Sequence, residues 1–110
     1  MSVLDFQTLR NQNVKRCETA FHSVGGWSES DWACAAAGEM GEICDAIKKR
    51  RRGWDKPGMA APTIDDVGKE IADTICYLDL LAAKLDIDLS AAVRDKFNEV
   101  SDRVGSDIRL

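Results

Sequence analysis

Long apolar runs are missing from this chain of 110 residues, and no stretch approaches the roughly 18 apolar residues that a membrane span needs. Residues 1–15 contain Asp5 and Arg10 instead of a charged segment followed by an apolar core, so they lack the pattern of an export signal. We therefore expect a cytoplasmic protein with no membrane partner.

Proline, tyrosine and histidine are scarce, with two, one and one residues, which excludes collagen-like and aromatic-rich binding sequences. Four cysteines are present, but no two of them have CxxC spacing and all fall within helix-like apolar patterns. We interpret them as buried thiols and not as disulfides or zinc ligands: Cys17, Cys34, Cys44 and Cys76.

An excess of positive charge is also absent, since 19 acidic residues outnumber 15 basic ones and give a net charge of −4. This balance weighs against a surface that neutralises nucleic-acid phosphates, and we do not expect a nucleic-acid partner. With 45% hydrophobic and 31% charged residues the composition is that of a folded protein. The length predicts a single domain over residues 1–110.

Apolar residues recur with helical spacing almost throughout, and no long stretch keeps the period of two that a strand requires. The sequence therefore predicts an all-α fold with four main helices in a bundle. Capping residues and glycines set the expected bounds. The helices are predicted at about residues 4–22, from Ser28 or Ser30 to about Arg52, from Thr63 to about Leu85, and from Asp88 or Ser90 to Gly105.

The second and third predicted helices each carry an acid pair at positions i and i+3, on the same flank of the apolar stripe. The pairs are Glu39 with Glu42 and Glu70 with Asp73. If the helices pack antiparallel, four carboxylates converge and repel one another unless a cation is present. Oxygen ligands at this density suit Mg²⁺, with Mn²⁺ as a substitute, and such sites bind phosphate-bearing substrates. The alternative is that each pair lies on a solvated helix face.

The residues around these pairs resemble a known family. Residues 38–49 (GEMGEICDAIKK) and 69–78 (KEIADTICYL) are similar to the ExxE and ExxD motifs of MazG-type all-α nucleotide pyrophosphohydrolases. The resemblance covers about residues 32–103. It implies the MazG-like fold, assembly as a dimer or tetramer, and cleavage of a nucleoside triphosphate between its α and β phosphates. For a virus-encoded form, the expected location is the host cytoplasm.

By position, the four acids match the metal-binding and catalytic acids of that family: Glu39, Glu42, Glu70 and Asp73. The resemblance implies that they bind Mg²⁺, which screens the triphosphate and orients the attacking water. Glu42 is a candidate for taking the proton of that water, but the motif does not decide which glutamate does so.

Candidates for phosphate binding lie on two helices. On the fourth helix, Lys96, Asn98 and Arg103 match the Lys, Asn and Arg cluster that is common in the family. Lys49 belongs to the basic run at residues 48–52 (KKRRR) near the end of the second helix. For this run, binding of nucleotide phosphates, binding of nucleic acid and a solvated helix end all stay open.

Recognition of a nucleobase usually needs an aromatic plate, and the candidates are Trp27, Trp32, Trp54 and Tyr77. Tyr77 is best placed, because it follows Asp73 by one helical turn. Trp54 lies in the irregular connection at residues 53–62, from which it could fold over a ligand. The alternative for each tryptophan is packing in the core.

The leading interpretation is a Mg²⁺-dependent nucleoside triphosphate pyrophosphohydrolase of nucleotide-pool control, with a purine substrate such as dGTP or GTP favoured. Hydrolysis of dUTP, dCTP or phosphoribosyl-ATP stays open as an alternative enzyme activity. An interpretation of a different class is a non-catalytic helical oligomer, an adaptor or regulator whose acids are surface residues. In that case the basic run would contact nucleic acid.

Overall fold

A computed structural model describes residues 3–53 and 60–110, which are all-helical and contain no strand. The four main helices are α1 (Phe6–Arg16), α2 (Glu29–Arg51), α3 (Ile64–Lys84) and α4 (Leu89–Val104). One turn of π-helix (Cys17–Phe21) extends α1, and a 3-10 turn (Val24–Gly26) precedes α2. The predicted all-α class and its four main helices are confirmed. In the described ranges, no helix has both the length and the apolar character needed to cross a membrane.

Reciprocal capping boxes begin the two central helices. At α2 the hydroxyl of Ser28 accepts from the backbone N–H of Asp31, whose carboxylate accepts from the N–H of Ser28. Thr63 and Asp66 form the same pair of bonds at the start of α3. Ser28, and not Ser30, is therefore the cap of α2 among the two predicted alternatives.

The fourth helix is bounded by an aspartate and a glycine. Asp88, and not Ser90, caps α4, because its carboxylate accepts from the backbone N–H of Ala91. Gly105 ends the helix with φ of 72°, a left-handed conformation that glycine adopts without steric cost. Local sequence thus sets both ends of α4 as predicted.

The core lies where α1, α2 and α3 meet. The indole of Trp32 is buried against Cys17, Val24 and Leu80, and its Nε1 donates to the backbone oxygen of Val24 at 3.1 Å. Trp32 also neighbours Tyr77 on α3, whereas Glu39 further along α2 lies beside residues earlier in α3. The two central helices are therefore antiparallel, the arrangement that the acid pairs require.

A buried ion pair joins α1 to α3. The Nε of Arg10 donates to Oδ1 of Asp79 at 2.9 Å, and Asp79 is 0% exposed. Asn13 donates to the other oxygen of Asp79 at 3.1 Å, so both carboxylate oxygens have partners from α1. This network fixes α1 against α3 at Asp79, which lies between one and two helical turns after Asp73.

Several large apolar residues that recur with helical spacing are exposed. On α2, Met40 and Ile47 are about half exposed, and the buried-thiol interpretation is wrong for Cys34 and Cys44, which are both exposed. The physical reason is that α3 covers α2 mainly on one side, so helical spacing places these residues on a face that nothing described here covers. Cys17 is buried as predicted.

Candidate active site

Three of the four predicted acids form a compact cluster between α2 and α3. Glu39, Glu70 and Asp73 each offer a carboxylate oxygen, and these three oxygens lie within 4.8 Å of one another. The i and i+3 spacing directs both α3 acids toward α2, and the antiparallel packing brings Glu39 opposite them. Glu42 is exposed at the border of this cluster, where it shares a cleft with Glu70.

The electrostatics of the cluster are those of carboxylates without a counter-charge. The neighbouring carboxyl group of Glu42, partial burial and the charge of Glu39 raise the pKa of Glu70 to about 7. Burial raises the pKa of Glu39 as well, with further contributions from the charges of Glu42 and Asp73. Ionisation of the whole cluster therefore costs free energy in the absence of a cation.

The donor set fits a hard divalent cation. The Oε2 atoms of Glu39 and Glu70 are buried and have no hydrogen-bond partner among the described residues. Buried polar atoms usually have partners, so these two oxygens leave a need for positive charge at the cluster. Carboxylate oxygens are the ligands that Mg²⁺ and Mn²⁺ prefer, and the residues present are thus compatible with either ion.

An aromatic cavity of about 370 Å³ opens beside the carboxylates. Rings of His22, Trp27, Trp32 and Tyr77 line it, with centroids 4.5 Å apart for His22 and Trp27 and 4.6 Å for Trp27 and Trp32. Its volume falls in the range of about 300 to 1,000 Å³ that is usual for small-molecule pockets. Asp73 lines the cavity and also belongs to the carboxylate cluster, so the two sites are continuous.

The aromatic candidates for base recognition differ in how deeply they are buried. Trp32 is buried in the core, as the packing alternative predicted, and it also forms a wall of the cavity. Trp27 and Tyr77 are half-buried cavity residues. The prediction for Trp54 concerns a residue that lies outside the described ranges.

A charged cleft of about 380 Å³ borders the cluster on another side. Glu42 and Glu70 line it together with two lysines, Lys49 from α2 and Lys69 from α3. Lys49 pairs with Asp45 at 2.9 Å, and both partners are partly exposed. The structure therefore places the predicted Lys49 in the same cleft as the carboxylates, and it places a second lysine there, Lys69.

The three candidates on α4 lie apart from the cluster. Lys96 pairs with Glu99 at 3.2 Å, and Asn98 exchanges two hydrogen bonds with the backbone of Leu110. Arg103 is exposed in the last turn of the helix. Because α4 contacts mainly α1, these side chains are not brought to the α2–α3 carboxylates within one chain.

Sequence reasoning missed three residues of the site: Asn13, Arg16 and Lys69. Asn13 and Arg16 line the aromatic cavity. A signal for Asn13 was available, because it lies four residues from both Leu9 and Cys17 and is thus a polar residue on an apolar helix face. For Lys69 the sequence offers only its position next to Glu70.

Comparisons with protein-family models, with curated proteins and with solved structures give no match to this chain. Three neighbouring features of the molecule bear on its function. These are the carboxylate cluster, the aromatic cavity and the charged cleft.

Proposed function

We propose that this protein is a Mg²⁺-dependent nucleoside triphosphate pyrophosphohydrolase, for which Mn²⁺ can replace Mg²⁺. The observation that carries the proposal is the double position of Asp73, which lines the aromatic cavity and belongs to the carboxylate cluster. A nucleobase in the cavity would therefore have its phosphates close to the carboxylates. An aromatic pocket next to a hard-cation site is an arrangement suited to a nucleotide.

In this proposal Glu39, Glu70 and Asp73 hold the metal, and Glu42 completes the set from the border of the cluster. A divalent cation held by these residues would neutralise phosphate charge and would lower the pKa of a water placed to attack the α phosphorus. Glu42 is more exposed than Glu39 and Glu70, and we assign to it the proton of that water. The products are a nucleoside monophosphate and pyrophosphate.

The cavity and the charged cleft take the two ends of the substrate. Tyr77, Trp27 and Trp32 provide aromatic surface for the base, since stacking on such rings favours any nucleobase. Lys49 and Lys69 lie on the cleft side of the carboxylates, where they would bind the β and γ phosphates. The departing pyrophosphate would thus be neutralised as its charge develops.

The residues of α4 fit this scheme only if a second copy supplies them. We propose a dimer or tetramer in which Lys96, Asn98 and Arg103 of one subunit approach the phosphates bound by another. A purine nucleotide such as dGTP or GTP is the first substrate to test, and dUTP, dCTP and phosphoribosyl-ATP are the alternatives.

The test is pyrophosphate release from the eight standard ribo- and deoxynucleoside triphosphates, from dUTP and from phosphoribosyl-ATP, with Mg²⁺ present and absent. We expect Mg²⁺-dependent release from at least one of them, lowered at least about 100-fold in Glu70→Gln. Glu29→Gln is the matched control, because Glu29 is an exposed glutamate in the first turn of α2. Absence of release from every nucleotide, phosphoribosyl-ATP included, would reject the proposal. Salt-sensitive DNA binding would then favour the adaptor alternative.

A further inference from the structure

Asn13 is the one uncharged amide among the side chains that line the aromatic cavity. It is 5% exposed and reaches the cavity from α1. Its Nδ2 donates to the backbone oxygen of Cys76 at 2.9 Å and to Oδ2 of Asp79 at 3.1 Å. Both amide protons are therefore committed to α3.

The two neighbours of Nδ2 permit only one orientation of the Asn13 amide. The carbonyl of Cys76 and the carboxylate of Asp79 are acceptors, so a flipped amide would set its oxygen against both of them. Asp79 is itself held by Arg10, whose Nε donates to Oδ1 at 2.9 Å. Oδ1 of Asn13 receives no hydrogen bond from the described residues and is consequently the group that Asn13 can offer to a ligand.

The aromatic walls of the cavity cannot discriminate among bases, because stacking tolerates any π face. Discrimination must come from polar atoms at the edge of the base. Nδ1 of His22 lies 2.9 Å from the backbone oxygen of Ser23 and donates to it, so this ring atom is already occupied. Oδ1 of Asn13 is thus an acceptor on an uncharged side chain that lines the cavity.

We propose that Asn13 determines base specificity, with Oδ1 accepting a hydrogen bond from an exocyclic amino group of the base. This inference rests on the proposed nucleotide-binding function and names the substrate class within it. A base with a carbonyl oxygen at the same place would set two acceptors against each other in a buried position. Sites built to pair with a particular donor reject analogues that lack it, because a polar group is then left unpaired.

The test uses nucleoside monophosphates, which this protein is not proposed to hydrolyse, so that the readout is binding and not activity. Calorimetry compares three pairs that differ by an amino group: dCMP with dUMP, dAMP with dIMP, and dGMP with dIMP. We expect the amino member of at least one pair to bind at least about 10-fold more tightly. Differences below that level in all three pairs would overturn the assignment of Asn13.

The variant Asn13→Leu removes the acceptor at similar volume, and we expect it to reduce the preferred pair's ratio to less than about 3-fold. Asn11→Leu is the matched control, since Asn11 is an exposed asparagine on the same helix and should keep the ratio. If Asn13→Leu fails to fold because its bonds to α3 are lost, the monophosphate pairs on the unmodified protein decide alone.

The outcomes separate this inference from the proposed function. Binding of all the monophosphates with equal affinity would remove the role of Asn13 and leave a pyrophosphohydrolase that accepts any base. A protein that binds none of them loses the inference about Asn13, and pyrophosphate release then decides the proposed function separately. A preference that persists in Asn13→Leu shows that another cavity residue reads the base, which also overturns the inference.

Discussion

Glu42 on α2 and Glu70 on α3 line the same cleft across the helix pair, and the Glu42 carboxyl group is the largest cause that raises the pKa of Glu70 to about 7. Two carboxyl groups placed this way repel each other when both are ionised, so one of them tends to keep its proton. Burial and the charge of Glu39 favour the protonated form of Glu70 further. Near neutral pH the metal-free cluster therefore changes from a partly protonated state to a set of mutually repelling charges.

The stability of the metal-free protein should fall as the pH rises from about 5 to about 8. The pKa of Glu70 in the folded state lies above its usual value of 4.5, so protonation stabilises the native state. That contribution is complete below 4.5 and is lost as the pH rises through about 7. Glu39, whose pKa is raised mainly by burial, acts in the same direction.

Urea unfolding in the presence of a chelator measures this dependence. The capping carboxylates Asp31 and Asp66 have pKa values lowered by hydrogen bonds from Ser28 and Thr63, so they remain ionised throughout this pH range. They should not obscure the trend. Glu70→Gln should flatten the pH dependence, and an equal slope in this variant would contradict the assignment to Glu70.

Mg²⁺ should raise the melting temperature more at pH 8 than at pH 5. The cation binds the ionised carboxylates of the native state, and protons compete for the same oxygens at low pH. At ten times Kd, the stabilisation corresponds to about 6 °C for a domain of this size. Thermal melts with and without Mg²⁺ at both pH values measure it. Equal shifts at the two pH values would indicate ordinary surface acids.

Glu70→Gln should separate activity from stability. Loss of the carboxylate should lower turnover at least about 100-fold, and we expect the same of Glu42→Gln and Asp73→Asn. The metal-free variant should nevertheless be more stable than the unmodified protein at pH 8, because a repelling charge has been removed. Turnover and urea unfolding of the same preparations test both effects. A variant with lower stability at pH 8 would show that Glu70 has a structural role instead.

Local sequence was sufficient to predict the main helices and the acid cluster. The hydroxyl and carboxylate groups of each capping box lie three residues apart, so the starts of α2 and α3 depend on neighbours in sequence. The convergence of Glu39 with Glu70 and Asp73 followed from i and i+3 spacing and antiparallel packing. These features need no knowledge of distant contacts.

Burial and the polar contacts of the cavity could not be predicted in this way. Helical periodicity shows that Met40 and Ile47 share a face, but it does not show whether another element covers that face. Asn13 and Asp79 are 66 positions apart, so their hydrogen bond depends on how α1 docks on α3. The sequence therefore predicted the acids of the site and missed the amide that borders its cavity.

Asp79→Asn should destabilise the protein by at least about 2 kcal/mol. The substitution preserves volume but leaves the guanidinium of Arg10 without its counter-charge in a mostly buried position. Asp65→Asn is the matched control, because the pair of Asp65 with Lys69 is exposed and should contribute below about 1 kcal/mol. Urea unfolding at pH 7 gives both values. Equal losses would mean that burial adds nothing to the Arg10–Asp79 pair.

The outer face of α4 carries apolar side chains that no described element covers. Phe97 is 40% and Val104 is 68% exposed, and they line an apolar groove with Val93 and Val100. The radius of gyration is 17.1 Å, whereas a compact chain of this length has about 13 Å. A folded chain this open leaves more apolar surface than a monomer usually exposes.

We therefore expect at least a dimer in solution, and Phe97→Glu should dissociate it because association would bury a charge in an apolar groove. Sedimentation at low micromolar concentration should show the 12.1 kDa species for this variant and a larger one for the unmodified protein. Val3→Glu, which adds the same charge at a residue that is 84% exposed, should remain associated. If the unmodified protein sediments as a monomer, α4 has no partner copy. Lys96 and Arg103 then cannot reach the carboxylates from a second subunit, and the phosphates would depend on Lys49 and Lys69 alone.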